Sequence, residues 1–456
     1  MRGIIVVASI AGFAAASLCA AEFAARVEAE EVVFSYTPAD NGAGPMWCHG
    51  NTCIVRADGQ IFVSGLETIP GAKPLNNCLP LLFRRADSGW ELVHKDEGRT
   101  REPCPLAVAP GGKVFLSLNP TLAPVDAYGG PAEPRVLEFD AAAPAEKPAA
   151  HLPRWGAAPA FTEHSYRSFA ADGARGELFL LQNVGYDGAH WAFRDARGDW
   201  PAAGKLLWPW GAEYDTPQPI RLCYPAVALA DGAVHFLGVS DIIEPRPAWR
   251  EYKKKLTGRD WDYDFRRLFY TACQDIGKGA FGAWLEVASR EATCGWIFPQ
   301  DLHVGAGGRV LALWTERAID ERLRKEFFPE AKQRHSLELA VIRDGAVVRR
   351  TTLLAGGEGL GSLRPGDGRF HITENGRLFV FCFARGADKD GKPFAEHRLI
   401  EIDPDGAAGP AIPVRLAQPL PSFFNATVRA GCPPSSTLDI LGEHAGAMRY
   451  ARIRIH

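Results

Sequence analysis

The sequence predicts an all-β protein, a seven-bladed β-propeller with short helical insertions. Glycine and proline account for 47 and 34 of the 456 residues, which favours many tight turns over long helices. A unit of two short apolar strands joined by a glycine-containing turn also recurs seven times along the chain. Because blades arranged in a ring leave few sheet edges exposed, a closed propeller is favoured over an open array of the same strands.

The repeated units are recognised by their turns. Asp-Gly, Asn-Gly and Gly-Gly supply the positive φ that a tight hairpin needs. In chain order the copies are TCIVRADGQIFVSG, PLAVAPGGKVFLSL, RSFAADGARGELFLL, AVALADGAVHFLGV, LHVGAGGRVLALW, FHITENGRLFVFCF and the weakest, ATVRAGCPPSSTLDILG. Residues 83–90 and 193–200 add a second hairpin to two units, so each unit is expected to hold four strands. Two β-sandwich domains are the alternative, but the units continue from position 50 to 445 without a linker.

The N-terminus has the pattern of a secretory signal peptide. One Arg precedes an apolar run from Gly3 to about Leu18, and small residues follow. We therefore expect a signal peptide over residues 1–21, a single propeller domain over residues 22–456, and a secreted or periplasmic location. A membrane anchor is the alternative, although the apolar core is short for a spanning helix. No later stretch is long and apolar enough to span a bilayer, so no membrane contact is expected after signal removal.

Two segments interrupt the β pattern. Residues 316–335 have helical spacing and mixed charge, which is typical of a solvated surface helix. Residues 244–270 combine many Lys and Arg side chains with aromatic residues. Arg binds carboxylate or sulfate bidentately, and aromatic faces stack on pyranose rings. The second segment therefore suits an anionic sugar.

Charge and cysteine content limit the partners and cofactors. Lys plus Arg number 51 against 54 Asp plus Glu, a near balance that argues against nucleic-acid binding. Cys48 and Cys53 are the closest candidates for a disulfide in an oxidising compartment. No cofactor is required, although a structural Zn or Ca ion is considered. One candidate zinc set comprises Cys223, Cys273 and Cys294 with His235 or His303; His235 alternates with apolar neighbours and is otherwise expected in the core.

Candidate site residues lie just before the repeated strands, because the starts of corresponding strands converge on one mouth of a propeller channel. His, Tyr and Arg recur at these places in several units, which a solvated loop would not require. The candidate substrate-binding residues are His49, Asn51, Arg101, Glu102, Tyr166, Arg167, Arg221 and Asp301.

The same chain resembles the propeller-type ulvan lyases, which belong to the sialidase-like superfamily of BNR-repeat proteins. The resemblance covers roughly residues 45–310. It rests on the repeat plan and on the order of His164, His190 (in YDGAHWAF), Tyr224 before Pro225, and the Arg-rich segment. The sequence has no strict Asp-box, S-x-D-x-G-x-T-W, which argues against membership in the sialidases proper.

This resemblance implies a lyase that cleaves an acidic, uronic-acid-containing polysaccharide by β-elimination. We expect the protein to be a monomer. It implies that His164 is the base, Tyr224 the acid and His190 their partner. It also implies that Arg266 or Arg267 neutralises the substrate carboxylate. An Arg there would stabilise the developing enolate, and neutral His suits proton removal near pH 7.

The sequence is also compatible with two other functions. A glycoside hydrolase needs two carboxylates flanking the scissile bond. Five carboxylates are available near the expected mouth: Glu102, Glu163, Asp241, Glu244 and Asp301. A propeller that binds glycans or proteins without catalysis is the second alternative, since a fold does not determine a function.

Overall fold

The computed structural model describes residues 23–456. The predicted signal peptide lies outside these residues. The described chain forms seven four-stranded antiparallel sheets, which are the blades of a β-propeller, so the predicted fold is confirmed. The first strand of each blade is innermost and packs against the first strands of neighbouring blades.

Five blades are built from four consecutive strands, and blade 4 has two short strands of another sheet between its second and third strands. Blade 1 contains β2 (Ile54–Ala57), β3 (Gln60–Thr68), β4 (Cys78–Ala86) and β5 (Gly89–Lys95), and blade 2 contains β6 (Leu106–Ala109), β7 (Lys113–Leu118), β8 (Arg135–Asp140) and β9 (Ala149–His151). Blade 3 contains β10 (Ser168–Asp172), β11 (Glu177–Val184), β12 (Gly188–Arg194) and β13 (Ala202–Leu207). Blade 4 contains β16 (Leu222–Ala230), β17 (Ala233–Ser240), β20 (Arg267–Cys273) and β21 (Leu285–Ser289). Blade 5 contains β22 (Trp296–Val304), β23 (Val310–Arg317), β24 (Arg334–Arg343) and β25 (Ala346–Gly357), and blade 6 contains β26 (Arg364–Ile372), β27 (Leu378–Ala387), β28 (Pro393–Ile402) and β29 (Ala408–Val414).

The seventh blade joins the two ends of the described chain. Its inner strands are β30 (Phe423–Asn425), β31 (Thr437–His444) and β32 (Ala447–Ile455), and its outer strand is the N-terminal β1 (Ala25–Ser35). Strand β1 pairs antiparallel with β32, from Ala25 opposite Ile455 to Ser35 opposite Ala447. This pairing closes the ring. Six of the seven repeated hairpins correspond to the first two strands of a blade. In the seventh, ATVRAGCPPSSTLDILG, the first half follows β30 instead of forming it, and only the second half lies on a strand, β31. Trp200 of the second type of hairpin precedes β13 rather than lying on it.

The core consists of apolar clusters between the blades. Seven clusters of buried side chains are found in the described chain, one at each boundary between neighbouring blades. The inner strands are buried on both faces, whereas the outer strands alternate between buried and exposed positions. Burial of this apolar surface supplies the main driving force for folding.

In the described chain, two short α-helices and two small sheets lie on one face of the propeller. Helix α1 (Pro247–Thr257) begins with proline and ends at Gly258, whose φ of 71° is the left-handed conformation that favours glycine. Helix α2 (Glu321–Phe327) is capped by Asp320 and is shorter than the helix predicted over 316–335, because both ends of that segment join strands. The small sheets pair β14 (Trp210–Gly211) with β15 (Gln218–Pro219) and β18 (Ile242–Ile243) with β19 (Tyr263–Asp264). Neither α1 nor α2 has the length and hydropathy of a membrane-spanning helix.

The propeller has two distinct faces. One face carries the connections between blades and the connections between the second and third strands of each blade. We call it the upper face. The turns between first and second strands form the lower face. Arg429, from the connection after β30, reaches into the channel between the faces. It bonds to Asp301 and donates hydrogen bonds of 3.0 Å to the carbonyl oxygens of Gly50 and Val227, tying together four blades and filling the channel.

Candidate functional site

A cluster of aromatic and imidazole rings occupies the upper mouth of the channel. We call it the upper aromatic cluster, and its members are Trp47, His49, His164, Tyr166, Tyr224 and Phe298. Each comes from the start of an inner strand or from the connection before it. Four blades, 1, 3, 4 and 5, contribute, so residues far apart in sequence meet here.

The rings are in direct contact. The centroid of Tyr224 lies 5.6 Å from that of Trp47, 5.5 Å from that of His49 and 5.2 Å from that of Tyr166. His164 lies 4.7 Å from Tyr166, and His49 lies 4.8 Å from Phe298. Two of the predicted catalytic residues, His164 and Tyr224, are thus brought to one place.

Both histidines of the cluster favour the neutral imidazole. Burial lowers the pKa of His49 to about 4. Burial, with the positive charges of Arg101 and Arg221, lowers the pKa of His164 against the opposing charge of Glu102. His49 Nδ1 and His164 Nε2 are buried and have no hydrogen-bond partner among the described residues. Each therefore has a ring nitrogen that is not used by the fold.

The two tyrosines stay protonated. Burial raises the pKa of Tyr224 and of Tyr166, and neighbouring carboxylates add to the effect. The Tyr166 hydroxyl lies within hydrogen-bonding reach of Tyr224 and of Asp241. Because both phenols keep their protons at neutral pH, they act as hydrogen-bond donors or acids rather than as bases.

Two arginines flank the cluster. The guanidinium of Arg101 lies 5.6 Å from the Trp47 ring, and that of Arg221 lies 5.9 Å from the Tyr166 ring. Arg221 is paired with Asp241 at 2.7 Å. Arg101 donates through Nε to the Asn41 carbonyl oxygen, but its buried Nη1 has no partner among the described residues. Arg101 therefore brings positive charge beside the cluster and has a buried donor that the fold does not use.

Four other predicted binding residues serve the fold. Asn51 donates to the Arg167 carbonyl oxygen at 2.7 Å and accepts from the Phe169 amide. Arg167 in turn donates to the carbonyl oxygens of residues 102 and 103. Glu102 accepts hydrogen bonds from the amide and the hydroxyl of Ser165. Asp301 pairs with Arg429 and also accepts from the Phe370 amide. These groups hold the inner strands of different blades together.

His190 does not join the upper aromatic cluster. It lies on β12, opposite Gln182 and Lys205 on the neighbouring strands, and its only ring contact in the described chain is with Phe161 at 6.5 Å. The third strand of a blade is remote from the channel, which explains the separation. The expected partnership with His164 and Tyr224 is therefore not formed.

Arg266 and Arg267 are engaged with carboxylates of this chain. The side chain of Arg266 is 1% exposed and bonds to Glu244 and Glu291 at 2.8 Å, and it also pairs with Asp264. Arg267 pairs with Glu286 and Glu213. These contacts anchor the 244–270 insertion to blade 4. Neither guanidinium is directed to the cluster, so the expected neutralisation of a substrate carboxylate by these residues is not supported.

The predicted zinc set is not assembled. No group of three or more His, Cys, Asp or Glu side chains in residues 23–456 is placed to hold a metal ion. His235 accepts or donates a bond of 2.7 Å with the Tyr270 hydroxyl and packs within blade 4, which agrees with a core position. The described cysteines are all free thiols, and Cys48 Sγ lies 3.7 Å from Cys53 Sγ.

The carboxylates that a hydrolase would use are also largely occupied. Asp241 is paired with Arg221 and buried. Burial raises the pKa of Glu244, but its bonds to Arg266 and Lys253 outweigh this and bring the pKa to about 2. The half-buried carboxylates that influence the cluster histidines are Glu163, beside His164, and Asp367, beside His49. Glu163 accepts from the Gly130 amide and Asp367 from the Ser422 hydroxyl.

Three cavities of the described chain lie away from these rings. A depression of about 640 Å³ is lined by hairpin turns at the lower face, one of about 550 Å³ lies beside residues 91–93 and 143–146, and a groove of about 320 Å³ follows residues 36–45 beside blade 1. The cavity between Trp47, Tyr166 and Tyr224 has a volume of only about 10 Å³. These three side chains thus pack closely, and a ligand would lie on them rather than between them.

Trp47 stands with His49 and Asn51 in the strand-start stretch before β2, so the sequence marked its position. Phe298 was missed. It is the third residue of β22, two residues before Gln300, and its place at the start of an inner strand was the available signal. An aromatic residue in an apolar stretch is nevertheless more often part of the core.

No family model matches the chain, and no curated protein matches it. Solved structures of low identity do match. A protein of unknown function from Dyadobacter fermentans is 11% identical, with 95% of this chain and 99% of that chain covered and a TM-score of 0.45. An alpha-L-arabinanase of Penicillium chrysogenum is 11% identical over 94% and 98% of the chains, with a TM-score of 0.41. A lignostilbene dioxygenase of Pseudomonas brassicacearum is 12% identical over 95% and 93%, with a TM-score of 0.45. At such identities the likeness concerns the fold alone.

Proposed function

We propose that this protein is a glycan-acting enzyme whose site is the upper aromatic cluster, and that it cleaves a uronic-acid-containing polysaccharide by β-elimination. The observation that carries the proposal is the contact of two neutral imidazoles, His49 and His164, with the protonated phenols of Tyr166 and Tyr224. A neutral base next to a protonated acid is the pair that an elimination requires. Export of the enzyme, as its N-terminal sequence predicts, would bring it to such polymers.

The reaction assigns one proton to each group. An imidazole nitrogen of His164 removes the proton at C5 of the uronic acid, beside the carboxylate. The electron pair forms the C4–C5 double bond, the bond from C4 to the glycosidic oxygen breaks, and that oxygen takes a proton from the Tyr224 hydroxyl. The high pKa of Tyr224 keeps that proton in place until the leaving oxygen becomes basic.

Arg101 takes the role that the sequence assigned to Arg266 or Arg267. Its buried Nη1 has no partner among the described residues, and it is one of the two positive charges beside His164. Negative charge develops on the substrate carboxylate as C5 loses its proton. The positive charge of the Arg101 guanidinium beside His164 would stabilise the enolate electrostatically. Arg221 adds a second positive charge, although Asp241 balances it.

Glycoside hydrolysis is the second candidate. It is favoured by the positions of Glu163 and Asp367, which are half-buried and close enough to influence His164 and His49 electrostatically. Two such carboxylates on either side of a bound sugar are what acid–base hydrolysis needs. The lyase is preferred because each of these carboxylates already accepts a hydrogen bond within the chain.

The experiment is a product assay on a panel of polysaccharides: ulvan, pectin, chondroitin sulfate and arabinan. A lyase produces new ultraviolet absorbance from a double bond conjugated with the carboxylate. A hydrolase releases reducing ends without that absorbance, and a binding protein releases neither. His151→Ala is the matched control for His164→Ala, since His151 lies on the outer strand of blade 2 and pairs with Glu138. Reducing ends without new absorbance on any polymer would overturn the lyase in favour of the hydrolase.

A further inference from the structure

In the described part of the chain, the large exposed aromatic side chains lie on one face of the propeller. Among the large apolar residues that are exposed in residues 23–456, the aromatic ones are Tyr128 (73% exposed), Tyr186 (57%), Trp210 (60%) and Trp261 (58%). All four lie in connections of the upper face, the face that carries the upper aromatic cluster. The exposed large apolar residues of the outer walls, such as Leu92 and Val348, are aliphatic.

The four rings also belong to neighbouring blades. Tyr128 lies in the connection after the second strand of blade 2, Tyr186 in that of blade 3 and Trp261 in that of blade 4, and Trp210 lies between blades 3 and 4. We call this set the aromatic arc. His164 precedes the first strand of blade 3 and Tyr224 belongs to the first strand of blade 4. The arc therefore borders the sector of the mouth that holds the proposed acid and base.

Arg221 connects the arc to the cluster. Its guanidinium lies 4.3 Å from the centroid of the Tyr186 ring and 5.9 Å from that of Tyr166, which itself contacts His164. A cation over an aromatic face at this distance is attractive, so it holds the Tyr186 ring in place. Because more than half of Tyr186 stays exposed, the ring keeps free surface for a ligand.

Acidic groups accompany two of these rings. Asp126 and Asp187 are exposed, stand within two positions of Tyr128 and Tyr186, and form no ion pair within the described chain. A carboxylate is purely a hydrogen-bond acceptor, which suits a sugar hydroxyl. A flat apolar ring next to a free acceptor matches a sugar unit, which has an apolar face and hydroxyls at its edge.

We propose that the aromatic arc binds an extended polysaccharide chain, so that several sugar units lie across blades 2–4 while one uronic acid reaches His164. This proposal deepens the proposed function and rests on it, because it names the surface that holds the polymer on either side of the cleaved bond. The close packing of Trp47, Tyr166 and Tyr224, which leave a cavity of only about 10 Å³ beside them, supports a ligand that lies over the surface. Exposed apolar surface collected on one side of a protein is typical of a binding site.

The test compares polymer with oligosaccharide in the double variant Tyr186→Ala/Trp210→Ala. Affinity electrophoresis in gels containing ulvan, pectin or chondroitin sulfate measures binding of the polymer, and KM for a trisaccharide of the cleaved polymer measures the central site. Removing two stacking rings should weaken polymer binding by about tenfold or more, because each aromatic contact is worth up to about a factor of ten. KM for the trisaccharide should change less than twofold. The double variant Leu92→Ala/Val348→Ala, on the outer walls, should migrate as the wild type does.

The outcomes separate this inference from the proposed reaction. The aromatic arc would be overturned if the polymer gels retarded the Tyr186→Ala/Trp210→Ala variant as strongly as the wild type. It would also be overturned if the variant lost affinity for the polymer and for the trisaccharide by the same factor. Retardation by none of the three polymers would overturn it as well, even if a trisaccharide were cleaved. If polymer binding depends on the arc but no polymer is cleaved, the arc stands and the enzymatic proposal fails.

Discussion

Tyr166 and Tyr224 stand at the upper ends of the first strands of neighbouring blades, and both have a left-handed backbone, with φ of 38° and 50°. Their ring centroids are 5.2 Å apart. A positive φ is uncommon for a bulky residue, and such strain is often found at functional sites, where the surrounding structure supports it. Here the conformation brings both phenols to the mouth beside His164.

Replacement of His164 by Ala should abolish most of the activity. If His164 removes the C5 proton, kcat should fall by about 10²–10⁴-fold, the usual contribution of a general base. Initial rates of unsaturated product formation on the best polymer measure the effect. Circular dichroism should show an intact fold, since the side chain is only half-buried. Full activity of the variant would show that His164 is not the base that removes the C5 proton.

The acid limb of the pH–rate profile should lie below the ordinary histidine range. The base must be neutral, and the pKa of His164 is lowered by burial and by Arg101 and Arg221. The midpoint of kcat/KM should therefore fall below about 6.5, the unperturbed value. Arg101→Gln removes one of these charges and should move the midpoint to higher pH. A midpoint that stays in place or moves down in this variant would contradict the electrostatic argument.

The stability of the protein should decrease as the pH falls below 7. Burial lowers the pKa of His397 to about 4, and its ring stacks on Phe381 at 4.9 Å. Between about 6.5 and 4 the unfolded chain binds a proton that the folded chain does not, so the free energy of unfolding declines as the pH falls through this range. His49, His235, His303 and His371 have the same direction of shift.

Urea unfolding of His397→Gln at several pH values checks this relation. The variant should be less stable at pH 7, because it loses a buried bond to the Leu420 carbonyl oxygen. Its stability should also depend less on pH, by about one proton between pH 4 and 6.5. An unchanged dependence would mean that His397 is protonated in the folded protein.

Arg429→Ala should destabilise the propeller strongly. Arg429 lies buried in the channel, where Asp301 is 2.5 Å away, and the variant leaves that carboxylate buried without its cation. Breaking a buried pair typically costs about 3–5 kcal/mol. The matched control is Arg197→Ala, whose exposed pair with Asp195 should matter little. Equal unfolding free energies for the two variants, measured in urea, would argue against a structural role for the channel pair.

Cys48 and Cys53 should form a disulfide under oxidising conditions. Their sulfurs are 3.7 Å apart and both side chains are buried. With oxidised glutathione as the acceptor, two thiols lose two protons and two electrons, and the bond would tie the loop of Trp47 and His49 to strand β2. Peptide mapping after oxidative refolding should find this linkage in the wild type and in Cys382→Ser, but not in Cys53→Ser. Two free thiols in the refolded wild type would contradict the prediction.

The local features of the fold were predictable from the sequence. Each hairpin was recognisable because its turn residues and alternating strands are neighbours in the chain, as Asp58 and Gly59 illustrate between β2 and β3. The closing strand β1 was not recognised. Its partner β32 lies at the opposite end of the chain, so no turn signals the pairing.

The candidate site was predictable only in part. His49, His164, Tyr166 and Tyr224 were found because strand starts of a propeller converge. The ion pairs of Arg266 with Glu244 and Glu291 were not predictable, since a sequence does not reveal which carboxylates surround a buried guanidinium. The local sequence around an Arg in an aromatic segment is the same whether that Arg binds a substrate or forms an ion pair within the protein.

By itself, the sequence determined that this chain folds as seven β units with polar residues at the strand starts, because turn chemistry and strand periodicity act between near neighbours. Only the tertiary structure decided which of those polar residues remain free. Ring closure brings side chains from four blades to one mouth. Some charged groups there are paired by a residue distant in sequence, as Asp301 is paired by Arg429. Others keep a donor without a partner among the described residues, as Arg101 does at Nη1. Such pairing depends on distance in space, which no local pattern contains.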